Sequence, residues 1–65
     1  MAGTQRPVRS PAAHHTLRIL SYLSTQRGPV PAATITAALS LPRSTVYRIL
    51  GILEEHGFVI HYPEV

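Results

Sequence analysis

Prolines divide most of this 65-residue chain into three short segments, and this division limits the elements that it can form. Pro11 follows Ser10, Pro29 and Pro31 flank a single valine, and Pro42 follows the dipeptide "SL". Proline has no backbone N–H, so a helix accommodates it in the first turn but not in the interior. We therefore expect three short helices, each bounded by these prolines.

The first segment predicts a helix that begins at Ser10 or just after it and continues to about Gln26. Ser10 suits the N-cap and Pro11 the first helical position, while Gly28 suits the C-terminal cap. Apolar spacings of three and four predict a buried face made of Ala13, Leu17, Leu20 and Leu23 or Ser24. Ile19 and Tyr22 fall partly outside it, either at the edge of the core or against a second subunit.

The second segment, "PAATITAAL" at residues 31–39, predicts a short helix that begins at Pro31. It is expected to bury Ile35, Ala38 and Leu39. Threonine is a mediocre helix former, so packing against the rest of the domain has to hold this helix in place.

The third segment predicts a helix over about residues 42–56, from Pro42 to near Gly57, which suits a left-handed cap. At ~100° per residue, four apolar side chains share one side and predict the core face: Val46, Ile49, Leu50 and Leu53. The opposite side carries Ser44, Arg48, Gly51 and Glu55, flanked by Thr45 and Tyr47. After this helix, "FVIHY" at residues 58–62 predicts a strand.

The charged residues are unevenly distributed along the chain. All six basic residues are arginines and precede residue 49, whereas the three glutamates follow it. The formal net charge is +3 and the sequence pI is near 10.2, which favours a polyanionic partner. Residues 1–10, "MAGTQRPVRS", are interpreted as a flexible basic arm, and residues 11–65 as one folded domain.

A turn at Ser40 joins the second and third helices. The apolar residues around it are spaced as in a helix-turn-helix, with Ile35, Leu39 and Leu41 before the third helix and Val46 and Ile49 within it. One departure is Thr36, because such motifs usually have alanine there.

The polar side of the third helix has the features of a helix that enters the DNA major groove. Ser44, Thr45 and the free N–H groups of the first turn can donate to a phosphate, and Arg43 and Arg48 add charge. A glycine inside a helix costs ~1 kcal/mol relative to alanine, so Gly51 is explained by close approach to a DNA backbone. In the alternative, Ser44 and Thr45 only support the helix start, and Gly51 only admits a packed helix.

The sequence resembles the N-terminal winged helix-turn-helix domain of IclR-type bacterial transcription regulators. The resemblance covers roughly residues 14–62 and is carried by "LRILSYL", "ITAALS", "LPRSTVYRIL" and "LEEHGFV". It implies a mainly α fold with a small β wing, whose first strand is residues 58–62. It also implies that Arg43, Ser44, Thr45, Tyr47 and Arg48 meet double-stranded DNA.

By the same resemblance, family members also have a second wing strand, a linker helix and a C-terminal domain that binds a small-molecule effector. We expect none of these parts within residues 1–65. We therefore expect either an excised DNA-binding fragment or a shortened relative. We expect a homodimer on an operator, with Arg9 of the basic arm near an adjacent groove or phosphate and Gly51 near the DNA backbone.

Other functions are less well supported. His14, His15, His56 and His61 lack the spacing of a metal site, and no acidic residue before residue 54 completes a serine triad, so we expect no cofactor and no enzyme. Without cysteines, a signal peptide or a long apolar run, we expect a cytoplasmic protein without a membrane partner. The serious alternative is a winged-helix module that binds another protein rather than DNA.

Overall fold

The computed structural model describes residues 10–61, which contain three helices. These are α1 (Pro11–Ser24), α2 (Ala32–Leu39) and α3 (Arg43–Glu55). The predicted order of three helices is therefore confirmed. The predicted basic arm lies outside the described residues except for Ser10, and so does Tyr62, the last residue of the predicted wing strand.

Helix α1 begins where the prolines predict and ends slightly early. Ser10 occupies the N-cap position and Pro11 the first helical position, although the Ser10 side chain makes no capping hydrogen bond. The helix ends at Ser24, two residues before the predicted end. There the N–H and the hydroxyl of Thr25 both donate to the carbonyl of Tyr22, at 3.1 and 2.8 Å, which tightens the last turn.

Glycine ends α3 but not α1. Gly57 has φ +82°, the left-handed value predicted for it, and the N–H of Phe58 donates to the carbonyl of Leu53 at 2.8 Å, as in a Schellman cap. The expectation that Gly28 caps α1 is wrong, because Thr25 holds that position and Gly28 has no positive φ. The chain leaves α1 before it reaches this glycine.

One small core joins the three helices and the turn between α2 and α3. Three of its side chains, Ile19, Ile35 and Val46, are fully buried, and each stabilises the fold by about 1.5 to 3 kcal/mol on burial. The buried core consists of Ile19, Ile35, Leu41, Val46, Ile49 and Leu53. Within residues 10–61 no polar or charged residue is buried, so the core is apolar throughout. No buried side-chain polar atom in this range lacks a hydrogen bond.

The predicted buried face of α1 is wrong in part. Ile19 is 0% exposed, whereas Leu17 is 61% exposed and Ala13 is exposed as well. The core meets the side of α1 that carries Ile19, Tyr22 and Leu23, which follow one another at helical spacing. Ser24 is exposed, and Leu20 is partly buried against the core. Packing against α2 and α3 therefore keeps Leu20 and Leu23 of the predicted face and replaces Ala13 and Leu17. Ile19 was expected at the edge of the core or against a second subunit, but it lies within the core.

In α2, Ile35 is buried and Leu39 is partly buried, as predicted, but Ala38 is exposed. The side packed against the core runs through Ala32, Ile35 and Leu39. At ~100° per residue Ala38 lies about 90° from the middle of this stripe, so it lies to the side of the core and stays exposed.

The prediction for α3 is confirmed. Val46, Ile49 and Leu53 are buried and Leu50 is partly buried. Residues 58–61 form no strand, and no strand occurs elsewhere in residues 10–61 to pair with them. Because a strand requires a hydrogen-bonded partner, the β wing stays a prediction.

Candidate nucleic-acid interface

The outer face of α3, defined here as Arg43, Ser44, Tyr47, Arg48 and Gly51, is exposed along its whole length. Tyr47 leaves 54% of its surface in solvent. The opposite face is held down by three buried apolar side chains, so the helix cannot turn without unpacking the core. These five predicted site residues therefore share one accessible surface.

Among residues 10–61, backbone N–H groups in the first turn of α3 lack a hydrogen-bond acceptor. The first helical hydrogen bond of α3 runs from the N–H of Val46 to the carbonyl of Pro42, at 3.1 Å. The N–H groups of Arg43, Ser44 and Thr45 come before it and have no carbonyl of the helix to bind. Pro42 occupies the N-cap, and no side chain caps this end. No side-chain capping bond therefore favours the alternative in which Ser44 and Thr45 only support the helix start.

Thr45 differs from its neighbours because it is half-buried at the edge of the outer face. A half-buried hydroxyl at this edge reaches a ligand less freely than the exposed hydroxyl of Ser44. Arg9, the remaining predicted site residue, lies outside the described residues.

Gly51 faces open space. A Cβ built at this position would meet nothing within 4 Å. The alternative in which Gly51 admits a tightly packed helix therefore does not apply within residues 10–61. A missing side chain here leaves the α3 backbone open to close approach from outside.

Charge changes sign along α3. Arg43 begins the helix and Arg48 lies on the outer face in its second turn, whereas Glu54 and Glu55 end it. The cations reinforce the positive end of the helix dipole, and the carboxylates lie at its negative end. An anion is therefore attracted to the N-terminal half and repelled from the C-terminal half.

An open groove of about 700 Å³ adjoins the outer face, and no pattern in the sequence indicates it. Tyr47 and Gly51 line one side, and Phe58 and Val59 line another. Phe58 is 67% exposed and Ile60 is 77% exposed, so the segment after α3 presents apolar surface beside the polar outer face.

Arg18 makes a long-range contact that no sequence pattern indicated. Its Nη2 donates to the carbonyl oxygen of Leu39 at 2.8 Å and links α1 to the last residue of α2. In the sequence, Arg18 is recognisable only as one of six arginines. The spacing of residues along α1 does not indicate which carbonyl its side chain contacts.

The described residues contain neither a metal-ligand cluster nor a membrane-spanning helix. Among residues 10–61, no three His, Asp or Glu side chains are grouped as metal ligands. None of the helices in that range combines the length and the apolar character of a bilayer-spanning segment.

Comparison with known proteins identifies the family. The model of the IclR helix-turn-helix domain matches residues 12–61. The chain belongs to this family. As an IclR helix-turn-helix domain it is a DNA-binding domain of transcription regulation, and α2, the turn at Ser40 and α3 form its helix-turn-helix.

A relative of known description supports this assignment. The probable transcriptional regulator SauR of Cupriavidus necator is 49% identical over 48 residues, which cover 74% of this chain. The aligned part is 19% of that relative, so this chain spans about a fifth of the relative's length. No solved structure matches the chain.

Proposed function

We propose that this domain binds double-stranded DNA sequence-specifically, with the N-terminal half of α3 in the major groove. The observation that carries the proposal is the division of α3 into a buried apolar face and an exposed face of small, polar and cationic residues. A helix anchored in this way can enter a groove without disturbing its own core. Transcription is then controlled by occupation of an operator.

The residues of the outer face have different proposed roles. Arg43, Arg48 and the N–H groups of the first turn contact phosphates, which have no base information. Ser44 and Tyr47 contact base edges, and Thr45 assists at the edge of the face. Gly51 lets the DNA backbone approach, and the two glutamates turn the end of α3 away from the phosphates.

Beyond α3, the proposal includes the basic arm, the wing and the partners of the domain. Arg9 contacts an adjacent groove or phosphate, and residues 58–62 form the first wing strand. Phe58 and Ile60 are exposed while Val59 between them is half-buried, and this alternation is typical of a strand. In the cytoplasm the domain acts as a homodimer on half-sites about 34 to 36 Å apart, and an effector acts through a C-terminal domain of the whole protein.

The first experiment selects preferred sites from random duplex DNA with the 65-residue chain. A recurrent palindromic site is expected, because a symmetric dimer requires two equivalent half-sites. Affinity for that site and for an unrelated duplex is then measured at several salt concentrations. Recovery of no preferred site, or an affinity that barely changes with salt, contradicts the proposal.

Arg48→Ala tests the phosphate contact. We expect weaker binding to all duplexes alike and a salt slope lower by about one unit, since one ionic contact releases about one counterion. Arg27→Ala removes an exposed arginine of the α1–α2 connection and serves as the matched control. If Arg48→Ala instead loses affinity at one base pair only, Arg48 contacts a base.

Ser44→Ala and Tyr47→Phe test base contacts. Each removes one hydroxyl from the outer face, and we expect a changed preference at one or two positions of the site, worth about 1 to 3 kcal/mol for a good contact. A uniform loss of affinity across all duplexes would instead identify these residues as phosphate contacts.

The second candidate is a winged-helix module that binds a protein. The exposed apolar side chains of Phe58 and Ile60 beside the groove favour it, because such surface is typical of protein interfaces. A protein-binding module would show neither a selected DNA site nor the steep salt dependence expected of phosphate contacts.

A further inference from the structure

The contact between Arg18 and Leu39 lies at a critical place in the helix-turn-helix. Leu39 ends α2, and only Ser40, Leu41 and Pro42 separate it from the first residue of α3. The donor comes from a different helix, 21 residues away along the chain. A restraint on the Leu39 carbonyl therefore acts directly on the connection that sets the start of α3.

The end of α2 needs such a restraint. The last carbonyls of a helix lack partners within the helix, and α2 has only eight residues, of which two are threonines. Ser40 adopts left-handed φ 56°, and the N–H of Leu41 reaches back to the carbonyl of Thr36 at 3.2 Å. These backbone bonds leave the carbonyl of Leu39 to accept from outside α2.

A guanidinium suits this carbonyl. Hydrogen bonds from a charged donor are stronger than neutral ones, and a cation at the C-terminal end of a helix is also attracted by the helix dipole. Arg18 is exposed, so the benefit is reduced by solvent but not removed. The contact differs in kind from the core, because it fixes one carbonyl in direction as well as in distance.

We propose that Arg18 is a positioning residue: by binding the Leu39 carbonyl it fixes the turn between α2 and α3 and so aligns the outer face of α3 for discrimination between DNA sequences. The inference rests on the proposed sequence-specific binding of DNA. Arg18 acts through the turn and touches no base. Its loss therefore reduces the preference for the selected site more than it reduces binding to DNA in general.

The first measurement is made without DNA, on the 65-residue chain. Arg18→Gln removes the charge and shortens the donor, Arg18→Lys keeps the charge, and Arg27→Gln is the matched control. Hydrogen exchange of the Leu41 amide is expected to become about three to ten times faster in Arg18→Gln, with Arg18→Lys between it and the wild type and Arg27→Gln unchanged. An equal acceleration at the Leu23 amide in α1 would indicate a general loss of stability and overturn the proposal, as would unchanged exchange at Leu41.

The second measurement uses the ratio of affinities for the selected site and for an unrelated duplex. Partial unfolding lowers both affinities equally and leaves the ratio unchanged, so the ratio responds to alignment and not to stability. We expect Arg18→Gln to lower the ratio about three- to tenfold, with a salt slope equal to that of Arg27→Gln.

An unchanged ratio would overturn the proposal. If both affinities also fall equally, and the salt slope is lower by about one unit than that of Arg27→Gln, Arg18 is a phosphate contact instead. A wild-type ratio near one would refute the proposed function itself. The hydrogen-exchange measurement then still decides whether Arg18 holds the turn.

Discussion

Helices α1 and α3 have nearly equal lengths, 14 and 13 residues, but they use their apolar side chains differently. In α3 three side chains are buried in one stripe, and the opposite side is mostly small or polar. In α1 only Ile19 is buried, while Leu17 remains 61% exposed on another side. Helix α3 is thus anchored on one face and free for contact on the other, whereas α1 has apolar surface on more than one side.

This difference indicates a division between a helix that contacts a ligand and a helix that supports the core. A helix that meets a ligand needs an orientation that its own apolar stripe determines, because the ligand face then follows from the buried face. A supporting helix needs only enough apolar surface to close the core, and it also supplies Arg18 to the end of α2. Three predictions test this division, in order of decreasing effect.

The largest effect is expected from truncation of α1 at its buried position. Ile19→Ala should lower the free energy of unfolding by about 2 to 5 kcal/mol, because it leaves a cavity among the other core side chains. Since the total stability of a small domain is of this order, Ile19→Val, with an expected loss of about 0.5 to 1.5 kcal/mol, keeps the effect measurable.

Leu17→Ala is the matched control in the same helix. It should change the free energy of unfolding by less than about 0.5 kcal/mol, because Leu17 is mostly exposed. Urea unfolding followed by circular dichroism measures all three variants. A larger loss at Leu17 than at Ile19 would reverse the assignment of the α1 faces.

The second prediction concerns the two glycines of α3 and its cap. Gly51→Ala should raise the free energy of unfolding by about 0.5 to 1 kcal/mol, because alanine is the better helix former and its Cβ meets open space. Gly57→Ala should lower it by about 1 to 2 kcal/mol, because φ +82° is strained for a residue with a Cβ.

DNA affinity measured on the same two variants sharpens this prediction. If Gly51 lies near the DNA backbone, Gly51→Ala binds DNA more weakly although its fold is more stable. Unchanged affinity in the stabilised variant would remove Gly51 from the interface.

The smallest effect is expected at the turn that joins α2 to α3. Ser40 has φ 56° and ψ 43°, so Ser40→Gly should raise the free energy of unfolding by a few tenths to about 1 kcal/mol by relieving left-handed strain. Thermal unfolding measures the change. A loss of stability would mean that the Ser40 side chain contributes more than its backbone strain costs.

The predictions made from sequence succeeded where a segment offered one solution. In α3 most apolar side chains lie on one side, with Ile52 at its edge and 48% exposed, so Val46, Ile49 and Leu53 were identified correctly. Gly57 was correctly placed at the left-handed cap. In α1 apolar residues follow closely from Leu17 to Leu23, and spacings of three and four fit more than one stripe. The same limit applies to Ala38 in α2, since alanine costs little on either side of a helix.

The sequence by itself determined the three helices, the turn at Ser40, the buried side of α3 and, by exclusion, the outer face that we propose for DNA. These features depend on local chemistry, on proline and glycine backbones and on one clear helical period. Tertiary structure alone decided which side of α1 is buried and that Arg18 reaches the carbonyl of Leu39. Both result from how separate helices pack together, and the distances across such contacts are not contained in the spacing of residues along one helix.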